Sequence, residues 1–392
     1  MTSPDFLIAG AGIFGVCTAI ELKKKGFDVT IINPDEIPHP LAASTDISKI
    51  IRMEYGTDGE YMDMAYHSML KWREWNHVLN DKVFEESGYI MLSSSDRKHE
   101  PSYELASVNK LIVKGFKPDI LDGKDITERF PCFNTGVYKW GSFQENGGYG
   151  FSGKAVGLLL QHAIGLGVNL HLSGLQSINT DKGSLTDIVA EDGTRFYPGH
   201  LIVCAGNHTA YLIPELKPFM KVTGHPVFHL KPADPELFKP PFLTAFAADI
   251  ANTGWYGFPY HPEKGVVKIA NHGVGLELDP NTDPRVVTHE DALALRSFLK
   301  SSIPSLAYAP IVYTRRCCYT DTLDGHFWID NHPEIKGITI GSGGSGHGFK
   351  MGPEVGYMIS EIALGSKHKY SDRYKWRELN EFTIQEEEAR NN

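Results

Sequence analysis

The sequence has few cysteines, no long apolar run near its start and no excess of positive charge. Its five cysteines show no C-x-x-C spacing, so no disulfide framework is expected and a reducing, intracellular setting is the default. Acidic residues outnumber basic ones, 48 to 38, giving a formal net charge of -10, which argues against a nucleic-acid partner. The uncharged stretch Phe6 to Ile20 is shorter than the ~20 residues that a spanning helix needs. No basic segment precedes it, so neither a membrane anchor nor a secretory signal is expected.

The chain is long enough for more than one domain. It has 392 residues, of which 41% are hydrophobic, and this length suggests two or three domains. The polar C-terminal residues lack the Ser-Lys-Leu ending of peroxisomal proteins. A cytoplasmic location is therefore expected, and a peroxisomal one stays open.

A glycine motif near the N-terminus organises the first unit. The apolar segment Phe6 to Ala9 predicts a buried strand, and Gly10, Gly12 and Gly15 follow it in the G-x-G-x-x-G spacing that opens a helix. A second strand is predicted at Val29 to Ile32. This order predicts a dinucleotide site, in which the phosphates meet the helix N-terminus. The motif does not choose between NAD and FAD.

The end of the second strand departs from the usual pattern. Asp or Glu normally stands there and binds a ribose hydroxyl, whereas this chain has Asn33. An Asn side chain can still accept a hydrogen bond, but without a charge to strengthen it. Asn33 therefore remains a candidate ribose ligand.

A second glycine-rich turn lies near the other end of the chain. A strand predicted at Gly337 to Ile340 leads into the glycine-rich residues 341–348, and a helix is predicted from Phe349 towards Leu364. The amides of such a turn can bind cofactor oxygens or a flavin carbonyl, and a flexible loop is the alternative. Two such turns favour a flavoprotein over a simple nicotinamide dehydrogenase. An apolar strand at Leu201 to Cys204, ending in Ala-Gly, indicates interleaved domains.

Several short motifs, in order along nearly the whole chain, resemble those of the monomeric sarcosine oxidase family. The fungal relatives of that family include pipecolate, saccharopine and fructosyl amino acid oxidases. The motifs are Gly10-Ala11-Gly12-Ile13-Phe14-Gly15, Lys49-Ile50-Ile51-Arg52, Tyr256-Gly257-Phe258-Pro259, Lys268, Cys317-Cys318-Tyr319-Thr320 and Ser345-Gly346-His347-Gly348-Phe349-Lys350.

The resemblance implies an α/β fold with two interleaved domains. One is an FAD-binding Rossmann domain of glutathione-reductase type, and the other is a substrate domain built on an antiparallel sheet. We assign residues 1–82, 147–215 and 335–375 to the FAD-binding domain, 83–146 and 216–334 to the substrate domain, and 376–392 to a C-terminal tail. A monomer is expected, and no metal.

The resemblance also implies a covalent flavin. Cys317 matches the cysteine that family members join to the flavin 8-methyl group. Arg315 and Arg316 are expected to lower the pKa of its thiol and so to favour the reactive thiolate. A buried cysteine that serves as a small apolar residue is the alternative, and Cys318 is the second candidate for attachment.

Three residues are expected to act in catalysis. Lys268, in a short apolar strand, matches a family lysine that lies beside the flavin and promotes reaction with oxygen, because a cation stabilises the charge that develops. Its alternative is an outward-facing position on an edge strand. His272 matches an active-site histidine at a position where fructosyl amino acid oxidases tend to have an acidic residue. Lys49 matches a lysine of the fungal branch near the flavin.

Other motif residues are expected to bind substrate or cofactor. Arg52 and Lys350 match the pair that holds the substrate carboxylate, and Tyr256 and Tyr319 match aromatic residues of the substrate pocket. For the cations, the alternative is a solvated surface charge. The expected cofactor contacts are Gly10, Gly12, Ile13, Phe14, Gly15, Asn33, Ser44, Lys49, Cys317, Gly343, Gly344, Gly346, His347, Gly348 and Lys350.

These features predict an FAD-dependent oxidase of an N-substituted amino acid, of the sarcosine, pipecolate or saccharopine type, which uses oxygen and releases hydrogen peroxide. A fructosyl amino acid oxidase is the runner-up. An NAD-linked dehydrogenase that uses the first glycine motif alone, and a flavin-bound protein without activity, are the alternatives from other classes.

Overall fold

The computed structural model describes residues 2–97 and 102–380. Within these ranges the strands are, in chain order, β1 (Phe6–Ala9), β2 (Val29–Asn33), β3 (Lys49–Ile51), β4 (Phe84–Glu85), β5 (Tyr89–Ser93), β6 (Asp119–Asp122), β7 (Trp140–Gln144), β8 (Gly148–Gly150), β9 (Asn169–Leu172), β10 (Leu175–Asp181), β11 (Ser184–Ala190), β12 (Arg195–Phe196), β13 (His200–Val203), β14 (Met220–Leu230), β15 (Ala245–Ala248), β16 (Trp255–Gly257), β17 (Val267–Asn271), β18 (Leu276–Glu277), β19 (Ile311–Thr322), β20 (Trp328–Asn331) and β21 (Ile338–Ser342).

The α-helices alternate with these strands. In the same ranges they are α1 (Ile13–Lys24), α2 (Gly59–Val78), α3 (Tyr103–Val113), α4 (Gly123–Arg129), α5 (Ser152–Gly165), α6 (Thr209–Leu212), α7 (Ile250–Thr253), α8 (His289–Ser302) and α9 (Gly348–Ala363). No helix of the described residues combines the length and apolar character needed to cross a membrane.

The first sheet carries both glycine turns. Its strand order is β20-β21-β13-β1-β2-β9, and all neighbours are parallel except the edge strand β20. Every residue of β1 is buried, as expected for a central strand covered on both faces. Helices α1 and α9 pack closely together, since a Cβ at Gly356 would meet the backbone of Cys17. The turns that precede the two helices therefore lie side by side.

The second sheet is mostly antiparallel. Its order is β18-β14-β17-β16-β15-β5-β7-β6, with β19 also paired to β14 and a parallel pair between β15 and β5. The long strand β14 runs from Met220 to Leu230. Its long partner β19, which carries Cys317, was not predicted as a strand. The expected fold class, a Rossmann-type sheet beside an antiparallel sheet, is confirmed.

A small sheet of order β3-β8-β4 joins the two large ones. It positions β3, which pairs with β8 through Lys49 and Gly150, next to the N-terminal half of α9. The assignment of chain segments to two domains stays a prediction. Of the predicted C-terminal tail, residues 381–392 lie outside the described part of the chain.

Candidate active site

The first glycine turn is built for close approach of backbone. Gly10 has a φ of 108°, which L-residues rarely adopt, and a Cβ there would collide with the carbonyl of Cys204. Two side chains brace the turn: Asn33 Oδ1 accepts a hydrogen bond from the Ala11 N–H at 3.0 Å, and Ser44 Oγ accepts one from the Ile13 N–H at 3.1 Å. Asn33 and Ser44 thus contact the turn itself, in addition to their predicted cofactor role.

The second glycine turn lies against the first. A Cβ at Gly348 would stand 2.8 Å from the ring of Phe14, so these two predicted cofactor residues mark the junction of the turns. Gly346 has a φ of 75°, and a Cβ there would meet His272 and Tyr319 at 2.6 Å. A Cβ at Gly344, by contrast, would have its nearest described atom 3.9 Å away. The second glycine turn therefore leaves room for a small group beside Gly344.

The segment from Thr45 to Ser48 carries buried hydroxyls that suit a bound cofactor. Thr45 Oγ1 and Ser48 Oγ are buried and have no hydrogen-bond partner among the described residues. Buried hydroxyls are normally paired, and a flavin, with its ring N–H and carbonyl groups, would supply partners. These hydroxyls, with the space beside Gly344, fit FAD.

Gly344→Ala is expected to leave the fold intact and to lower the flavin content. The new methyl would make no contact shorter than 3.9 Å, so the free energy of unfolding of the apoprotein should change by less than about 1 kcal/mol. It would occupy space assigned to the cofactor. Flavin bound per chain and the apoprotein Tm measure the two effects, with Gly165→Ala as the control, because a Cβ at Gly165 meets nothing within 4 Å. Full flavin content in Gly344→Ala would contradict this placement of FAD.

A cavity of about 510 Å³ opens between the second glycine turn and the second sheet. All seven predicted catalytic and substrate residues line it, together with aromatic and charged side chains that were not predicted. The lining residues are Lys49, Ile50, Arg52, Tyr55, Asp58, Tyr61, Tyr103, Ile250, Tyr256, Phe258, Lys268, His272, Tyr319, Asp324, Gly325, His326, Ser345, Gly346, His347, Phe349, Lys350, Arg373 and Leu379.

Arg52 and Lys350 both reach this cavity. Arg52 donates a hydrogen bond to Tyr103 Oη at 3.1 Å and lies over the ring of Tyr55, with 5.1 Å between the guanidinium carbon and the ring centroid. Lys350 Nζ donates to Tyr55 Oη at 2.9 Å. The two cations, each 7% exposed, therefore share Tyr55 as a neighbour, and a solvated surface position is excluded for both.

His347 continues this hydrogen-bond chain as a neutral ring. Its Nε2 lies 3.3 Å from the Gly325 carbonyl oxygen and its Nδ1 lies 3.3 Å from Tyr55 Oη. Because a carbonyl can only accept, Nε2 carries the hydrogen and Nδ1 accepts from Tyr55. Burial, and next the Lys350 charge, hold the pKa of His347 well below its usual range. The chain Lys350, Tyr55, His347 thus has a defined direction of donation.

Lys268 is buried, so the outward-facing alternative is wrong. Its Nζ forms an ion pair with Asp46 Oδ2 at 2.8 Å, donates to the Ser48 carbonyl and lies 4.5 Å from the centroid of the Phe258 ring. Burial lowers the pKa of Lys268 to about 8, although Asp46 opposes this shift. Lys268 is thus charged at neutral pH and loses its proton in the mildly alkaline range.

Cys317 and Tyr319 share one face of β19 with Arg315, because side chains alternate along a strand. Lys49 Nζ lies 3.9 Å from Cys317 Sγ. Arg316 points to the other face, where it pairs with Asp291. Of the two arginines predicted to act on the Cys317 thiol, Arg315 shares its face of the strand and Arg316 does not. Cys318 lies on that other face as well.

His272 and Tyr319 pack beneath the second glycine turn. Their ring centroids are 5.7 Å apart, and the ring of His225 stacks on Tyr319 at 4.0 Å. Gly346 covers both rings. Tyr256 is partly buried nearby, and desolvation raises its phenol pKa above the usual range, so its hydroxyl is neutral. These predicted aromatic residues thus form one wall of the cavity.

A second charged cluster stands in the same cavity and was not predicted. Arg373 Nη1 donates to Asp58 Oδ1 at 3.0 Å, and its Nη2 lies 3.2 Å from His326 Nε2. Since an arginine can only donate, His326 Nε2 accepts and the ring is neutral. Burial, followed by the Arg373 charge, lowers the pKa of His326 to about 4. These residues are far apart in the chain and form no motif, so residue spacing could not predict that they meet.

The described residues contain no group of three or more His, Cys, Asp or Glu side chains that could hold a metal ion.

A Rossmann-type sheet with two adjoining glycine turns, facing a cavity lined by cations and aromatic rings, defines a flavin-dependent oxidoreductase. The chain belongs to the family described as "FAD dependent oxidoreductase", whose model matches residues 5–362. This match decides the open choice between NAD and FAD in favour of FAD.

Similar proteins cover nearly the whole chain. L-saccharopine oxidase of Schizosaccharomyces pombe is 29% identical, over 96% of this chain and 94% of its own. Monomeric sarcosine oxidase of Bacillus sp. (strain B-0618) is 28% identical, over 93% of each, and peroxisomal sarcosine oxidase of Mus musculus is 27% identical, over 92% of each. The resemblance to the sarcosine oxidase family is confirmed.

Solved structures share the fold at lower identity. Amadoriase I of Aspergillus fumigatus has a TM-score of 0.80 at 22% identity and covers 96% of this chain and 90% of its own. L-Proline dehydrogenase of P. horikoshii has a TM-score of 0.83 at 20% identity and covers 95% of this chain and 97% of its own.

Proposed function

We propose that this protein is an FAD-dependent oxidase that converts the secondary amine of an N-substituted amino acid to an imine, which water then hydrolyses. Substrates of the sarcosine, pipecolate or saccharopine type are favoured. When bound, FAD would supply the two-electron oxidising power for the C–H beside the neutral amine, with oxygen as the final acceptor and hydrogen peroxide as the product.

One observation carries this proposal: a single cavity holds a pair of cations suited to a carboxylate and, separately, a buried lysine. Arg52 and Lys350 flank Tyr55, so a carboxylate between them could accept from both cations. Lys268 reaches the cavity from the second sheet, paired with Asp46. An amino acid held by its carboxylate would thus present its amine near the cofactor space.

The residues of the cavity then have separate roles in the reaction. Arg52 and Lys350 fix the orientation of the substrate, which lowers the entropic cost of the reaction. Tyr256, Tyr319 and His272 enclose the amine and exclude water. The Lys268 ammonium stabilises negative charge that develops on oxygen, and Lys49 adds positive charge beside Cys317.

We also propose that the flavin is covalently attached through Cys317. The thiol shares a strand face with Tyr319, which lines the cavity, and lies next to Lys49. Cys318 projects from the opposite face of β19.

Cys317→Ser is expected to leave FAD bound but dissociable. In the unmodified protein the yellow colour should stay with the acid-precipitated chain, whereas in Cys317→Ser it should pass to the supernatant. Cys318→Ser is the matched control and should keep the colour in the pellet. The reverse pattern would assign the attachment to Cys318.

A substrate panel tests the activity. Hydrogen peroxide release would be measured with sarcosine, pipecolate, saccharopine and N-methyl-tryptophan, and with fructosyl-valine for the runner-up, a fructosyl amino acid oxidase. His272 favours the first group, because an acidic residue is expected there for sugar adducts. Peroxide with fructosyl-valine alone would select the runner-up, and none with any of them would indicate a flavoprotein of another activity.

We further propose a monomer and a cytoplasmic location, with a peroxisomal one open because one relative is named peroxisomal. The domain segments given above are part of the same proposal. Size-exclusion chromatography with light scattering would test the monomer, and limited proteolysis would test the domain boundaries.

A further inference from the structure

Asp46 contacts the side chain of Lys268 in the interior of the protein. The Asp46 carboxylate and the Lys268 ammonium, each 2% exposed, form a 2.8 Å ion pair. His229 Nε2 lies 3.5 Å from the other carboxylate oxygen. His229 stands directly opposite Lys268 in the pairing of β14 with β17, so both side chains project from the same face towards Asp46.

The position of Asp46 is fixed by the backbone around it. Its carbonyl oxygen accepts hydrogen bonds from Ser152 Oγ and the Gly153 N–H, both at 2.8 Å, at the start of α5. Its own Oδ1 accepts from the Ile47 N–H at 2.7 Å. A carboxylate anchored in this way can fix the direction of the flexible lysine side chain.

The buried groups around this ion pair are mostly cationic. Lys268, Lys49 and Arg315 all carry positive charge, and together with His229 they hold the pKa of Asp46 well below its usual range, although burial alone would raise it. The titratable or charged groups that face the pair come from four strands: Lys49 on β3, His229 on β14, Tyr256 on β16, and Arg315 and Cys317 on β19.

We propose that Asp46 is a positioning residue that keeps the Lys268 side chain charged and directed into the cavity, and that it thereby supports the reaction of the reduced enzyme with oxygen. Its role in that reaction rests on the function proposed above. The pairing of Asp46 with Lys268 in the resting protein does not.

The proposal has a defined pH dependence. With a pKa of about 8, Lys268 is charged below that pH and neutral above it, so reoxidation should slow as the pH rises through this value. Asp46→Asn removes the negative charge that raises the pKa of Lys268 against the lowering effect of burial. An opposite charge at this distance shifts a pKa by about one to three units, so the titration midpoint of Lys268 should fall by about that amount.

The test is a titration of the holoenzyme labelled with [ε-13C]lysine, in which the Lys268 signal is the one missing from Lys268→Met. The midpoint is expected near 8 in the unmodified protein and at least about one unit lower in Asp46→Asn. Reoxidation of Asp46→Asn at pH 7.5 should then be about threefold slower if the midpoint falls by one unit and about 25-fold slower if it falls by two, and it should recover as the pH is lowered. Asp63→Asn, at an ion pair with Lys114 nearer the surface, should change neither value. An unchanged midpoint would overturn the proposal.

A double mutant distinguishes a positioning role of Asp46 from general damage to the protein. Asp46→Asn in the Lys268→Met background should add no further loss of reoxidation rate, because the lysine it acts on is gone; an equal loss in both backgrounds would refute a role through Lys268.

A second titration keeps the proposal testable even if Asp46→Asn does not fold. In the unmodified holoenzyme labelled with [γ-13C]aspartate, one signal should shift at the Lys268 midpoint, and this step should vanish in Lys268→Met. Its absence from the unmodified protein would count against the ion pair. A confirmed ion pair with no peroxide from any amine would instead contradict the proposed function alone.

Discussion

Lys268→Met is expected to slow the reoxidation of the reduced enzyme by oxygen about 100- to 1,000-fold, the usual loss when one preorganised electrostatic group is removed. Flavin reduction by substrate should change only a few-fold. The methionine keeps the volume and the contact with Phe258 but removes the ammonium that lies 2.8 Å from Asp46. Stopped-flow mixing, first anaerobically with substrate and then with oxygen, measures the two half-reactions separately.

The matched control is Lys24→Met. Lys24 forms an exposed ion pair with Glu21 on α1, and such pairs contribute little, so both half-reactions should keep their rates. If Lys268→Met lost reduction and reoxidation equally, the lysine would act on substrate or on cofactor binding. Unchanged reoxidation would refute its role with oxygen.

Arg52→Met is expected to weaken substrate binding about 100-fold, because truncating one partner of a buried charged contact costs roughly 2 to 5 kcal/mol. Arg52 is 7% exposed, and its neighbours include aromatic rings, since it donates to Tyr103 and lies over Tyr55, and the buried Glu54 carboxyl. Such an environment leaves little water to screen a substrate carboxylate. The dissociation constant is taken from the substrate dependence of anaerobic flavin reduction.

The substrate dissociation constant of Arg52→Lys should lie between those of the unmodified protein and Arg52→Met, since lysine keeps the charge but cannot bind a carboxylate bidentately. Arg195→Met, at the half-exposed ion pair with Asp187, is the control and should bind substrate normally. If Arg52→Met bound substrate as tightly as the unmodified protein, the carboxylate site would have to be moved elsewhere in the cavity.

The parts of this site that the sequence could predict are those encoded within a few consecutive residues. The spacing of Gly10, Gly12 and Gly15 predicts a turn whose geometry follows from local backbone sterics. The same holds for the turn around Gly346, where a positive φ of 75° requires glycine. Motif positions likewise predicted that Arg52 and Lys350 belong together, and both line the cavity.

The parts that could not be predicted depend on contacts between distant segments. Asp46 stands in the same stretch as Lys49 and Arg52, yet nothing local indicates that it pairs with Lys268, which is 222 positions later in the chain. The cluster of Asp58, Arg373 and His326 arises in the same way. Such ion pairs are set by how the sheets pack, which residue spacing does not encode.

The side chains on each face of β19 were also not predicted from the sequence. Counting Arg315 and Arg316 as equal neighbours of Cys317 ignored the alternation of side chains, because the segment had not been predicted as a strand. Once β19 is known to extend from Ile311 to Thr322, the period of two assigns Arg315 to the Cys317 face and Arg316 to the other.

The central claim is that FAD bound between the two glycine turns oxidises a secondary-amine amino acid held in the adjoining cavity. The most direct measurement is the visible absorbance of the purified protein during anaerobic addition of each proposed substrate, followed by admission of air. We predict that one of them bleaches the flavin spectrum and that air restores it, with one hydrogen peroxide formed for each flavin reoxidised. A protein that stays colourless when supplied with FAD, or a yellow protein that none of these amines bleaches, would contradict the claim.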